Sequence, residues 1–346
     1  MRPPPWPSTS PRSSAPPSPD SRAYACRSAF RGRGAGARSW GLRGVGSGWF
    51  GWKEAAVFVV VAPDSFKGCL TAAEAAAAIA GGVRRALPGV EVREVPMADG
   101  GEGTLDCFVD ALGAERMRMT ATGPLGAPVE ATYAIAGPQA VVELASASGL
   151  PLIPVADLDA PRATTHGTGD LIRAAIDGGA RDVLLCLGGS ATTDGGTGLM
   201  RALGYRFLDA DGRDLPEGGG PLTGLEAIDD ADVPAEVRAV RFRLACDVAH
   251  PLVGPSGAAA VFGPQKGADA EQVELLDAAL TRLADVLADT YGPRVHDLPG
   301  AGAAGGTPAG LVAALGAEMA PGGRLVAETV GLPEALADRP DLVLTG

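Results

Sequence analysis

Three glycine-rich loops hold most of the residues in this 346-residue chain that could do chemistry: Ala62-Pro-Asp-Ser-Phe-Lys-Gly68, Ala98-Asp-Gly-Gly-Glu-Gly-Thr104 and Gly188-Gly-Ser-Ala-Thr-Thr-Asp-Gly-Gly196. Each follows an apolar run and leads into a helical pattern. Backbone N–H groups and a helix N-terminus would then face an anion. Lys67 offers a point charge for a phosphate, and Asp64 and Ser65 beside it suit a hydroxyl or a metal-bound water. Asp99 and Glu102 put two carboxylates on one tight loop, which suits a Mg²⁺ shell that keeps its waters. In the third loop Gly188, Gly189 and Ser190 supply amides and a hydroxyl. Asp194 there could take a proton from a hydroxyl during phosphoryl transfer.

Four further residues join this set. Asp247 follows an apolar strand pattern, Lys266 sits in the rigid turn Phe262-Gly-Pro-Gln-Lys-Gly267, and Thr165 and Thr168 flank His166-Gly167. The two threonines either cap the next helix or touch a substrate. Plainer readings stand beside these. Lys67 can be a solvated lysine in a turn, Asp99 and Glu102 can serve a helix dipole, and Asp194 can be an N-cap. His166 reads as a locally hydrogen-bonded residue.

The elements that must position these loops are legible from periodicity. Residues 56–62 form a continuous apolar run ended by Pro63, the pattern of a strand buried on both faces. Thr71 and Glu74 form a capping box, and Ile79, Val83 and Leu87 line one face of the helix that follows. A strand over 90–97 and a helix over 105–112 come next, so the chain opens as a parallel, doubly wound α/β sheet. Residues 117–145 alternate as strands with turns at Gly123-Pro124 and Gly137-Pro138. A helix over 170–177, a strand over 183–187 and a helix around 199–203 follow. A long helix runs over 269–291 with Val273, Leu276, Leu280, Leu283 and Leu287 as its stripe. Beyond it lie the glycine-rich 300–306, Thr307 as an N-cap with Pro308 behind it, and a last buried strand over 341–345.

Composition narrows the class. Residues 1–55 hold nine basic and two acidic residues, a net +7 within a total of −12, so the rest of the chain stands at −19. An acidic body without a basic stripe argues against nucleic acid, and no apolar run approaches a membrane span. Any phosphate site must therefore be made locally, by amides, a metal or the few lysines. Residues 1–55, rich in Pro, Ser, Arg and Gly, read as a disordered or non-native extension. The five cysteines form no CxxC pair and read as buried free thiols, and the three histidines lack metal-ligand spacing. The nucleotide P-loop G-x-x-x-x-G-K-[ST] is absent, and no G-x-G-x-x-G follows the first strand.

In order along residues 57–346, the chain resembles the bacterial-type glycerate kinase family. The likeness rests on the three loops above together with Thr122-Gly-Pro-Leu-Gly126, Glu143 with Ala145-Ser-Ala-Ser-Gly-Leu150, Thr165-His-Gly-Thr-Gly169, Ala245-Cys-Asp247, Phe262-Gly-Pro-Gln-Lys-Gly267 and Pro299-Gly-Ala-Gly-Ala-Ala-Gly-Gly306. The resemblance implies transfer of the γ-phosphoryl of ATP to D-glycerate with Mg²⁺, giving 2-phosphoglycerate, in a cytoplasmic enzyme that can form a homodimer. It implies two lobes. One is flavodoxin-like, doubly wound and built from both chain ends (57–115 plus 265–346), and the other is an inserted mixed-sheet α/β lobe (116–264).

Thr193 stands where the family usually has Asn, and Cys69 where a small residue such as Ser is common. Family members also continue beyond a strand like Leu342–Gly346, so the reading expects a C-terminally truncated chain with an exposed strand edge. Within that frame Asp194 is expected as base or hydroxyl orienter, with Lys67 and Lys266 as phosphate or carboxylate contacts. Asp99, Glu102 and Asp247 are the metal-side carboxylates. Two rivals are a catalytically impaired glycerate-binding fragment and an NAD(P)-dependent oxidoreductase.

Overall fold

The computed structural model describes residues 57–66, 69–101 and 103–346. Lys67 and Glu102, and the expected N-terminal extension, lie outside the described residues. The fold is mixed α/β, built on a three-stranded parallel sheet and a six-stranded mixed sheet, with an antiparallel pair of short strands, β7 (Arg206–Leu208) and β8 (Ala227–Asp229), besides.

In the smaller sheet, β1 (Phe58–Ala62) lies between β2 (Glu91–Glu94) and β11 (Leu342–Thr345), both parallel to it. The apolar run of β1 is explained by its place. Val59 and Val61 pack under helix α1 (Ala72–Ala86), while Val60 and Ala62 face Val330, Leu332 and Ala335. The capping box at the start of α1 forms as expected: Glu74 N donates to Thr71 Oγ1 at 3.2 Å and Thr71 N donates to Glu74 Oε2 at 2.9 Å. The last strand is not buried as its apolar run suggests, and it shows the exposed strand edge expected from the resemblance: among the described residues it pairs with β1 alone, and Leu342 and Val343 are exposed.

The larger sheet has the order β10 (Glu318–Ala320), β9 (Arg241–Ala245), β6 (Asp182–Cys186), β5 (Gln139–Glu143), β4 (Pro128–Ala136) and β3 (Glu115–Thr122). The strands from β10 to β5 are parallel, and β4 runs antiparallel to both of its neighbours, β5 and β3. Strand β6 is buried on both faces, as its apolar run requires. Val183 and Leu185 enter the main core, and Leu184 and Cys186 meet Leu105 and Phe108 of helix α2 (Thr104–Leu112) on the other face.

The main core is closed by α3 (His166–Asp177), α4 (Thr197–Ala202), α5 (Ala270–Tyr291) and α6 (Thr307–Leu315). Leu276, Leu280, Leu283 and Leu287 of α5 are fully buried, so the expected stripe is the packed face. Helix α6 begins one residue earlier than expected, with Gly306 at its N-cap. The Thr307 hydroxyl instead donates to the Ala304 carbonyl at 2.9 Å.

The sheets divide the chain differently from the boundary expected near 265. Helices α5 and α6 and strand β10 belong with the six-stranded sheet, and only the segment after β10 returns toward the smaller one. Among the described residues no helix is long and apolar enough to cross a membrane.

Candidate active site

The loops after the carboxyl ends of β1, β2, β5, β6 and β9 border one continuous cleft, where open α/β sheets bind ligands. A cavity of about 460 Å³ is lined by Asp99, Gly188, Gly189, Ser190, Asp247 and Lys266, with Leu150, Leu187, Val248 and Phe262 as its apolar wall. Asp99, Gly101, Gly188 and Gly189 also border an adjoining cavity of about 560 Å³, whose far side carries Asp64, Ser65, Glu143 and Ser146. Both volumes fall in the range of ordinary ligand pockets.

The loops that carry the two carboxylates approach each other at Gly322. Asp99 Oδ1 accepts from Gly101 N at 2.8 Å, and Asp247 Oδ1 accepts from Gly322 N at 2.9 Å. A Cβ on Gly322 would lie 2.0 Å from the Asp99 carbonyl oxygen and 2.8 Å from Asp247 Oδ2, so only glycine lets the two loops approach. Gly322→Ala is expected to spread them and to lower kcat/KM by about 10-fold or more. It should also cost about 1–3 kcal/mol of stability. Steady-state kinetics and a thermal melt on the same preparation check both.

Lys266 is buried, and its Nζ donates to Ser190 Oγ at 3.2 Å and to the Thr192 carbonyl at 2.5 Å. Burial lowers its amine to about 7, opposed by the charge of Asp194. Ser190 Oγ in turn accepts from Thr192 N at 3.1 Å, which fixes the hydroxyl at the cavity wall.

Asp194, Thr165 and Thr168 do not line the cleft. All three are fully buried. Asp194 Oδ2 accepts from Thr165 N and Thr165 Oγ1, each at 2.8 Å, and from Gly198 N at 3.1 Å. Its Oδ1 accepts from Gly196 N at 3.1 Å. Burial pushes this carboxyl above the usual carboxylate range, and the donated hydrogen bonds pull the other way. Thr165 Oγ1 also accepts from Leu199 N at 2.8 Å, so the pair ties the starts of α3 and α4 together. The Thr168 hydroxyl donates to Ser148 Oγ at 2.8 Å.

The physical reason is that the third loop divides in two. Gly188–Ser190 faces the cleft, whereas 192–196 is threaded beneath the glycine-rich 300–306. Gly195 N donates to the Gly305 carbonyl at 3.0 Å, and a Cβ on Gly305 (φ +68°) would lie 1.9 Å from the Thr192 carbonyl. The glycines of this second half serve packing.

Glu143 was not among the expected site residues, yet it borders the cleft. Its Oε1 accepts from Gly103 N at 3.1 Å and Leu105 N at 3.0 Å, anchoring the start of α2. The signal was available: a carboxylate closing an apolar strand at its carboxyl edge, the same pattern that singled out Asp247. His166 stays local, with Nδ1 2.7 Å from Glu217 Oε1, and that hydrogen bond raises its imidazole above the ordinary value.

The thiols are poor nucleophiles. Burial pushes Cys107 up to about 12 and raises Cys186 and Cys246 as well, and these three are free. Cys69 is exposed, which corrects the burial expected for that residue.

Among the described residues no group of three His, Cys, Asp or Glu side chains could hold a metal. An all-protein cage is therefore not what this cleft offers. Asp99 and Asp247 lining one cavity fit Mg²⁺, which commonly takes one or two carboxylates and completes its shell with water and substrate phosphates.

Comparison with known proteins agrees with the geometry. The family model described as the glycerate kinase family matches residues 59–346. A glycerate kinase of Halalkalibacterium halodurans is 46% identical over 290 residues, covering 83% of this chain and 76% of that protein. A glycerate 2-kinase of Escherichia coli is 44% identical over 291 residues, with the same shares. A crystal structure described as that of glycerate kinase 2 from Salmonella typhimurium LT2 superimposes with a TM-score of 0.82 at 45% identity, covering 84% of this chain and 78% of that one. Neither the oxidoreductase nor the non-catalytic binding reading is favoured by these matches.

Proposed function

This chain belongs to the glycerate kinase family, and on that premise we propose that it transfers the γ-phosphoryl group of ATP to D-glycerate, giving 2-phosphoglycerate. The observation that carries the reading is the convergence of Asp99, Asp247, Gly188, Gly189, Ser190 and Lys266 on one cavity at the carboxyl ends of parallel strands.

Phosphoryl transfer asks a protein for positioning and charge neutralisation more than for covalent chemistry. Each part of the cavity answers one of those needs. The side-chain-free Gly188-Gly189 lets a phosphate come against the backbone. Asp99 and Asp247 would hold Mg²⁺ through carboxylate oxygens. That ion, when bound, would neutralise phosphate charge. Asp64 and Ser65, across the adjoining cavity, are placed to bind the hydroxyls of a small polyol acid, with Lys67 assigned to its carboxylate or to a phosphate. The apolar wall of Leu150, Leu187, Val248 and Phe262 limits water, so each polar contact counts for more.

The reading takes the cleft to lie between two lobes, which suits this chemistry, because a cleft of that kind can admit two substrates and close over both. The test is ADP release measured with ATP, Mg²⁺ and D-glycerate together and with each omitted in turn. The reading expects release only with all three. Equal ADP release without glycerate would make the protein a nucleotide hydrolase instead.

A further inference from the structure

With Asp194 sealed away from the cleft, the reaction proposed above lacks the proton acceptor expected of it. Among the described residues, one cationic side chain lines the 460 Å³ cavity, and it is Lys266. The chain contains 29 cationic Lys and Arg residues, of which only three, Lys53, Lys67 and Lys266, are lysines. An amine thus sits at this wall in a chain that otherwise uses guanidinium almost throughout. The distinction is chemical. A guanidinium stays charged at any working pH, whereas a buried amine can lose its proton and act as a base.

We propose, on the kinase reading, that Lys266 accepts the proton of the substrate hydroxyl through the Ser190 hydroxyl. Ser190 Oγ lies 3.2 Å from Lys266 Nζ and borders the same cavity, so it can stand between substrate and amine. Its hydrogen can turn toward either partner. As the substrate oxygen bonds to the γ-phosphorus, the bond from that phosphorus to the ADP oxygen breaks and ADP leaves with the electron pair. The substrate O–H proton passes to Ser190 Oγ, and the Ser190 proton passes to the lone pair of neutral Nζ. Lys266 ends the step as an ammonium beside the transferred phosphate and then returns its proton to solvent.

The surroundings favour this use of the amine. Its remaining hydrogen bond goes to the Thr192 carbonyl, and among the described residues no carboxylate is ion-paired with it. Three carboxylates face it from neighbouring loops: Asp194 behind, and Asp99 and Asp247 across the cavity. Burial outweighs the charge of Asp194 and leaves the amine about half neutral near pH 7, where a base works best.

Three measurements on the full chain test the route. Wild-type kcat should rise with pH through a midpoint near 7 and then level off. Lys266→Arg, which cannot deprotonate, should lower kcat by about 10²-fold or more and lose that limb, with KM for ATP little changed. An Arg variant that keeps the limb and nearly full kcat, or that raises KM alone, overturns the proton route and leaves Lys266 a binding charge. Should the variant fold poorly, ¹⁵N NMR of the wild-type lysines decides. With selective labelling of the three lysine Nζ atoms, which leaves the α-amine silent, one should titrate near 7, and none below 9 would overturn the proposal. Absence of glycerate-dependent turnover in the wild type would instead overturn the kinase reading, and the route with it.

Discussion

Asp194→Ala is expected to unfold the protein more than it disables it. The carboxylate accepts four hydrogen bonds in a fully buried position, from Thr165 N and Oγ1, Gly196 N and Gly198 N. Removing it leaves those donors without a partner, at about 1–3 kcal/mol for each unsatisfied group and less than additive in sum. A loss of about 3–5 kcal/mol is expected, a large share of the roughly 5–15 kcal/mol that holds a typical domain. Thermal and urea unfolding should show a large drop, and the folded fraction should retain turnover. Asp194→Asn should fall between, since one amide oxygen can keep part of the network. If Asp194→Asn melts like the wild type yet turns over about 10²-fold more slowly, the residue takes part in the chemistry after all.

Asp247→Asn is expected to give the reverse outcome. Asp247 is exposed at the cleft, and its Oδ1 contact with Gly322 N can be kept by an amide oxygen. The melting temperature should stay within about a degree or two, because surface substitutions of this kind usually change stability by less than about 0.5 kcal/mol. The rate should not be spared. Removing a charge that neutralises a phosphoryl group costs about 10²-fold or more in kcat. A rise in the Mg²⁺ concentration needed for half-maximal rate should accompany it. Titrating Mg²⁺ at fixed ATP separates the two effects. An unchanged Mg²⁺ dependence would remove Asp247 from the metal side of the site.

The contrast between these two aspartates shows what could be read from the residues alone. Both follow strands, and Asp194 also stands in a glycine-rich loop with the composition of a ligand site. Asp247 needs only its own strand to reach the cleft. Asp194 is buried by the 300–306 segment, more than a hundred residues further along, and no local pattern encodes that contact. The same holds for Lys266, whose burial against Ser190 and Thr192 depends on a contact across more than seventy positions.

Locally determined features were legible: the apolar runs of β1 and β6, the Thr71–Glu74 capping box, and the leucine stripe of α5. The exposure of β11 was legible from the resemblance and not from its residues, since an apolar run reports propensity and not the number of neighbours a strand will have. Glu143 enters the sequence reading only within a family motif and without a role of its own, although it closes its strand as Asp247 does.

If this cleft moves phosphate from ATP to glycerate as proposed, ³¹P NMR of the complete reaction will show it. With the full chain, Mg²⁺, ATP and D-glycerate, a phosphomonoester resonance of 2-phosphoglycerate should grow in step with ADP. Inorganic phosphate as the sole new resonance, or an ATP spectrum that does not change, would contradict it.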